Sequence, residues 1–249
     1  MLEAPLVNFL VVGVQKAGTT ALYDYLSEEP GVSLSREKET HFFDDESLDW
    51  SRPDYARYHR GFEAGAPRLR GEATPIYSYW PNSLERIRAY NPAMRLILLL
   101  RDPVARAWSH WRMEFARGVE RAPFGWCIRE GRQRLFEAEP WGHHREFSYV
   151  ERGFYGEQAE RLYGLFSLTQ VLILTSEDLR ADPAAALARI RRFLDLPPGA
   201  PPRPREAHLG ADIDFPSQLT AEDEAFLRGV YRRDQARLRD LTGISFTGP

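Results

Sequence analysis

Lysine is almost missing from this chain: two lysines stand against 31 arginines in 249 residues. Cysteine is scarcer still. Cys127 is the only one, which excludes an intramolecular disulfide and the disulfide-framework class of small secreted domains. There is no C-x-x-C pair and no H-E-x-x-H, so the common zinc patterns are absent, no metal is expected, and the adjacent His143 and His144 read as a loop pair. No apolar run approaches the length of a membrane span. Met1 to Pro5 lacks the basic and apolar regions of a signal peptide, so a cytoplasmic protein without a membrane span is expected. A large charge of either sign is missing too. The net charge of −3 argues against wholesale electrostatic binding to nucleic acid.

Hydrophobic residues make up 43 % of the chain, enough for a sizeable core. The length suits one α/β domain spanning 1–249. Residues 197–204 carry five prolines, cannot form regular helix or central strand, and read as a stiff connector. Arginine in place of lysine, with abundant Ala, Pro and Gly, points to a GC-rich, bacterial coding genome.

Apolar runs at 9–14, 95–100 and 170–175 predict buried strands, and a weaker one lies near 69–71. Helices are expected at 19–28, 82–90, 103–117, 155–166, 183–195 and 221–241. Asp182-Pro183 supplies an N-cap followed by proline at the first helical position, and Thr220 to Asp223 resembles a capping box. Alternating strands and helices imply a parallel sheet flanked by helices on both faces, with ligands beyond the carboxyl ends of the strands.

One of the two lysines, Lys16, sits in a glycine-bounded loop, Gly13 to Thr20, between the first strand and the first helix. Backbone N–H groups and the helix N-terminus make such a turn an anion site. The spacing nearly fits the triphosphate loop G-x-x-x-x-G-K-[ST], but Thr19 holds the lysine position and the lysine lies three residues earlier. A phosphate or sulfate is therefore expected near Lys16. A P-loop kinase or nucleotide hydrolase using ATP and Mg²⁺ is the alternative, disfavoured by Thr19.

A second anion anchor follows the strand at 95–100. Arg101 ends that strand, Pro103 opens a helix, and Ser109 lies two turns in, so Arg101 and Ser109 could converge on one phosphate. Arg106 shares the face of Ser109; the competing reading makes it a solvated residue.

With these residues in view, the chain resembles sulfotransferases that use 3′-phosphoadenosine 5′-phosphosulfate (PAPS). Within them it is most similar to the heparan-sulfate-type branch and its bacterial relatives, from about Asn8 to Leu196. Val14 to Thr20 is similar to the loop for the 5′-phosphosulfate, which assigns Gln15, Lys16, Ala17, Gly18, Thr19 and Thr20 to cofactor binding. Arg101 to Ser109 is similar to the 3′-phosphate motif, in which the first arginine and the serine bind. Lys38 to Asp44 resembles the segment carrying the catalytic glutamate, which implies Glu39 as the base and His41 as the second candidate. Glu72 to Tyr77 matches a short E-x-[ST]-P-x-Y stretch, and Gly153-Phe154-Tyr155 has a counterpart that implies Tyr155 at the cofactor. The resemblance thus implies transfer of a sulfuryl group from PAPS to a hydroxyl or amine, with Lys16 at the leaving phosphate. The acceptor stays open among glycan, lipid and small molecule. Tyr77, Tyr79, Trp80, Trp108, Trp111 and Trp141 are candidate wall residues of its cleft. The chain departs from relatives at Ala73, where some carry lysine. It also lacks a late disulfide, and its Arg205 to Gly210 stretch matches the family's late cofactor loop poorly.

Overall fold

The computed structural model describes residues 6–63, 69–137, 139–202 and 215–246. The elements, in chain order, are β1 (Phe9–Gly13), α1 (Thr19–Ser27), β2 (Val32–Leu34), α2 (Tyr55–His59), β3 (Leu69–Ala73), α3 (Ser83–Tyr90) and β4 (Arg95–Leu100). Then come α4 (Pro103–Ala116), α5 (Phe124–Cys127), α6 (Tyr155–Leu165), β5 (Val171–Thr175), α7 (Ser176–Ala181), α8 (Pro183–Phe193) and α9 (Ala221–Thr242), with short 3₁₀ turns between. The chain divides into two units. Unit one is Met1–Leu100 with Leu162–Arg205, and unit two is Arg101–Arg161 with Glu206–Pro249.

Unit one carries a five-stranded parallel sheet in the order β2-β3-β1-β4-β5. Its centre is β1, with all five residues buried, because an unbroken apolar run suits a strand covered on both faces. The step from β1 to β2 runs one way across the sheet, and the step from β3 to β4 runs the other. Right-handed crossovers therefore put α1 and α3 on opposite faces. The reversal falls between β1 and β4, the switch point at which open α/β sheets form a ligand crevice at the carboxyl ends of their strands. Phe9 of β1 lies over Gly71 of β3, where a Cβ would come within 2.2 Å of the ring.

The weak run at 69–71 proves to be a full strand beside β1. Its Gly71 and Glu72 break the apolar pattern, which hid it. Four elements escaped the sequence reading: β2, α2, α5 and α7. Each has three to six residues, too few to show a period. α7 is recognisable in retrospect by its cap, Thr175, whose Oγ1 accepts from Asp178 N at 3.0 Å.

Unit two packs α4, α5 and α9 around Val104, Ala107, Trp111, Phe124, Ile128, Tyr149, Leu227 and Tyr231. Asp102 caps α4 by accepting from Ala105 N at 2.8 Å, with Pro103 at the first helical position. One of the two readings of Arg106 is excluded here, and one expectation is corrected. Arg106 is fully buried rather than solvated; its Nη2 donates to the Tyr149 carbonyl, and Nη1 lies 3.4 Å from His110 Nδ1. Trp111 is core rather than cleft wall, stacked on Trp108 with ring centroids 5.0 Å apart. The charge-rich α9 still buries a stripe, Asp223, Leu227, Tyr231, Asp234 and Leu238, at helical spacing. Residues 197–202 are irregular, as the prolines require, and Arg191 of α8 donates to the Gly199 and Ala200 carbonyls. Arg203 and Pro204, the Arg205 to Gly210 stretch, and Met1 to Pro5 lie outside the described residues.

Candidate active site

The Lys16 loop begins where β1 leaves the sheet. Val14 N donates to the Leu99 carbonyl at 2.8 Å, and Ala17 N closes a turn onto the Val14 carbonyl at 3.2 Å. Lys16 and Gly18 both take the left-handed conformation, with φ of 74° and 97°. Glycine does this freely, whereas for lysine it costs about 1–2 kcal/mol, the kind of strain that collects at functional sites. Helix α1 opens on Gly18, so no capping side chain fills its N-terminus, and no acid stands in its first turn. First-turn N–H groups have no intrahelical acceptor, so this end suits an anionic ligand. Ala17 and Thr19 are buried, Gln15 and Lys16 half-buried, and Gly18 and Thr20 exposed.

Also in unit one, the Lys38 to Asp44 segment is a chain of alternating charge. Lys38 Nζ donates to Glu39 Oε1 at 2.9 Å. His41 lies between two carboxylates, with Nε2 at 3.4 Å from Glu39 Oε2 and Nδ1 at 2.9 Å from Asp44 Oδ2. His41 itself is left-handed, with φ of 52°. Asp44 is fully buried. Its hydrogen bond, with that of Glu39, raises the His41 pKa to about 9 against the pull of burial. Burial is the largest influence on Glu39 and favours its neutral form. The His41 hydrogen bond and the Lys38 charge outweigh it and bring Glu39 down to about 2.

Behind this segment the Glu72 to Tyr77 stretch is entirely buried. The Glu72 carboxylate accepts hydroxyl protons from Thr40 (2.5 Å), Tyr58 (2.9 Å), Thr74 (3.0 Å) and Tyr77 (3.1 Å). Tyr77, Tyr79 and Trp80 are buried, leaving Trp141 as the exposed member of the proposed cleft aromatics.

In unit two, Arg101 and Ser109 are half-buried. Tyr155, the first residue of α6, is fully buried, and its hydroxyl has no hydrogen-bond partner among the described residues. Burial pushes its phenol well above the usual range, against the charges of Arg106 and Arg101.

A family model described as a sulfotransferase domain matches residues 7–207. The chain belongs to the sulfotransferase family. Human heparan sulfate glucosamine 3-O-sulfotransferase 3B1 is 30 % identical over 190 residues, covering 75 % of this chain and 45 % of the human enzyme. The membrane-associated sulfotransferase kil1 of Dictyostelium discoideum is 24 % identical, covering 77 % of this chain and 56 % of that protein. The chain thus spans about half the length of the curated relatives it matches. The crystal structure of a sulfotransferase from Alicyclobacillus acidocaldarius aligns with a TM-score of 0.80 at 24 % identity. The alignment covers 97 % of this chain and 98 % of that one, a likeness of fold. The P-loop-like α/β fold expected from the sequence is therefore the family's fold.

The structure brings Glu39 and His41 together and shows contacts to which the sequence reading gave no role: Lys38 on Glu39, Asp44 on His41, and Thr40 and Tyr58 on Glu72 behind them. The His41 to Asp44 pair was open to detection as an acid three residues from a histidine. Tyr58 carried no signal, because its role comes from packing across 14 residues.

Proposed function

We propose that the chain transfers a sulfuryl group from PAPS to a hydroxyl or amine of a glycan, lipid or small-molecule acceptor. The observation that carries this reading is the uncapped, acid-free start of α1 behind a left-handed Lys16, an arrangement suited to a phosphosulfate. Gln15 to Thr20 would hold the 5′-phosphosulfate through N–H groups and the Thr19 and Thr20 hydroxyls. Arg101 and Ser109 would hold the 3′-phosphate, and the resemblance adds Tyr155, whose buried hydroxyl has no partner among the described residues. When bound, the donor supplies an activated sulfuryl group on a phosphate leaving group. Lys16 meets the charge that builds on that leaving oxygen, so donor binding is proposed to be independent of metal.

Glu39 accepts the proton of the acceptor. It stays ionised through the neutral range, whereas His41 keeps its proton up to about pH 9 and so serves as a cationic partner. The buried single cysteine fits a reducing, cytoplasmic setting, and the arginine-rich composition fits a bacterial source. No helix of the described residues is long and apolar enough to cross a membrane.

Calorimetric titration with adenosine 3′,5′-bisphosphate in the absence of metal, set against ATP with Mg²⁺, tests the reading. Bisphosphate should bind, and Arg101→Ala should weaken it. Glu39→Gln should bind it normally while turnover falls about 10²–10⁴-fold. Binding of ATP with Mg²⁺ in place of the bisphosphate would move the chain to the kinase-like reading.

A further inference from the structure

Glu72 is completely shut off from solvent, and among the described residues no cation pairs with it. Burying a carboxylate without a counter-charge is costly unless hydrogen bonds replace the lost water. Four hydroxyls do so here, and three of them pass the arrangement on. Thr74 Oγ1 donates to Glu72 and accepts from Thr40 N at 3.1 Å. Tyr77 Oη donates to Glu72 and accepts from Phe42 N at 3.1 Å and Phe43 N at 3.3 Å. Thr40 Oγ1 donates to the same carboxylate directly.

Burial pushes the Glu72 carboxyl up and the four hydroxyl bonds pull it back; in the ionised form that those bonds favour, their direction is fixed by chemistry. A carboxylate only accepts, so each hydroxyl spends its single proton on Glu72, and the oxygens of Thr74 and Tyr77 are left to accept backbone N–H groups. The N–H groups they take flank one residue on both sides: Thr40 before His41, Phe42 and Phe43 after it. His41 is the residue held at a positive φ, a conformation that persists only where its surroundings over-determine it. Glu39 immediately precedes Thr40.

We propose that Glu72 is a positioning residue, whose carboxylate acts through the Thr40, Thr74 and Tyr77 hydroxyls to hold Glu39 and His41 in the shape that proton removal from the acceptor requires. The inference rests on the reading of Glu39 as base. Neither Glu72 nor Tyr77 touches the reacting atoms in this role. Glu72→Gln keeps the shape of the side chain but turns two of its acceptor positions into donors that face hydroxyl protons. Tyr77→Phe keeps the ring and removes the acceptor for Phe42 N and Phe43 N.

The deciding measurement is the titration of the His41 imidazole by nuclear magnetic resonance, read in the whole chain without turnover. His41 is faced by Glu39 and Asp44, with Lys38 on Glu39. In the wild type it should titrate near 9, and in Glu72→Gln, Tyr77→Phe and Thr40→Val it should move toward 6.5 as the carboxylates lose register. Thr40→Ser, which keeps the hydroxyl, should titrate as the wild type does. In turnover, the first three variants should lose about 10²-fold in kcat with unchanged bisphosphate affinity, the signature of a misplaced group rather than a lost fold. Should Glu72→Gln fail to fold, Tyr77→Phe carries the test. An unchanged His41 titration across the three variants would overturn the proposal. A wild type that binds no bisphosphate would sink the sulfotransferase reading instead, and the titration would still decide the role of Glu72.

Discussion

His41 and Glu39 tie stability to pH in opposite directions. His41 in the folded chain titrates near 9, above its ordinary 6.5, so its stabilisation is complete below pH 6.5 and is lost as pH rises through about 9. Glu39 titrates near 2, below its ordinary 4.5, so its share is complete above pH 4.5 and is lost as pH falls through about 2. Both contributions are present between pH 4.5 and 6.5. Scanning calorimetry should therefore show the Tm of the wild type falling between pH 6.5 and 9. His41→Gln should flatten that fall; an equal fall in the variant would mean that another group is responsible. Lys16, Arg101 and Ser109 were proposed from residue type and spacing, and Glu39 from the family resemblance. The proton-holding role of His41 was not, because it depends on a buried Asp44 and a half-buried Glu39 on either side.

At the scale of elements, two glycines test different constraints. Gly71 of β3 sits under Phe9, and an added Cβ would lie 2.2–2.5 Å from three ring atoms of a fully buried side chain. Gly18 at the head of α1 has room, with its nearest contact at 3.9 Å, but its φ of 97° suits no L side chain. Gly71→Ala should cost about 1–3 kcal/mol by overpacking, and Gly18→Ala about 1–2 kcal/mol by torsion alone. Urea unfolding reads both as lower midpoints at an unchanged slope. Only Gly18→Ala should also weaken bisphosphate binding, since it alone reshapes the anion loop. The long elements were readable from hydrophobic run and cap. β3 was under-read because its middle carries Gly71 and Glu72, residues chosen by the neighbouring Phe9 and Thr40 rather than by strand propensity.

At the scale of the whole molecule, neither unit is continuous in sequence. Unit one needs Leu162–Arg205 to supply β5, which pairs with β4 from Leu96 to Leu100. That same stretch supplies Arg191, whose guanidinium donates to both oxygens of Glu29 at 2.7 and 2.9 Å. A fragment ending at Arg161 would leave β4 with an open edge and Glu29 without its cation. Such a fragment should show no cooperative thermal transition by circular dichroism, whereas the full chain should. Cooperative unfolding of the fragment would mean that β5 and α8 are dispensable to the sheet.

By itself the sequence determined the class of fold and the family, and it supplied the proposed anion loop and arginine–serine anchor, because these are local: runs, caps and motifs within about a dozen residues. Only the tertiary structure decided that Arg106 and Trp111 turn inward, that Tyr155 hides its hydroxyl, and that Glu72 holds the Glu39 segment from 32 residues away in the chain. The physical reason is that burial and hydrogen-bond direction belong to the neighbours a side chain meets across the fold, which no local pattern contains.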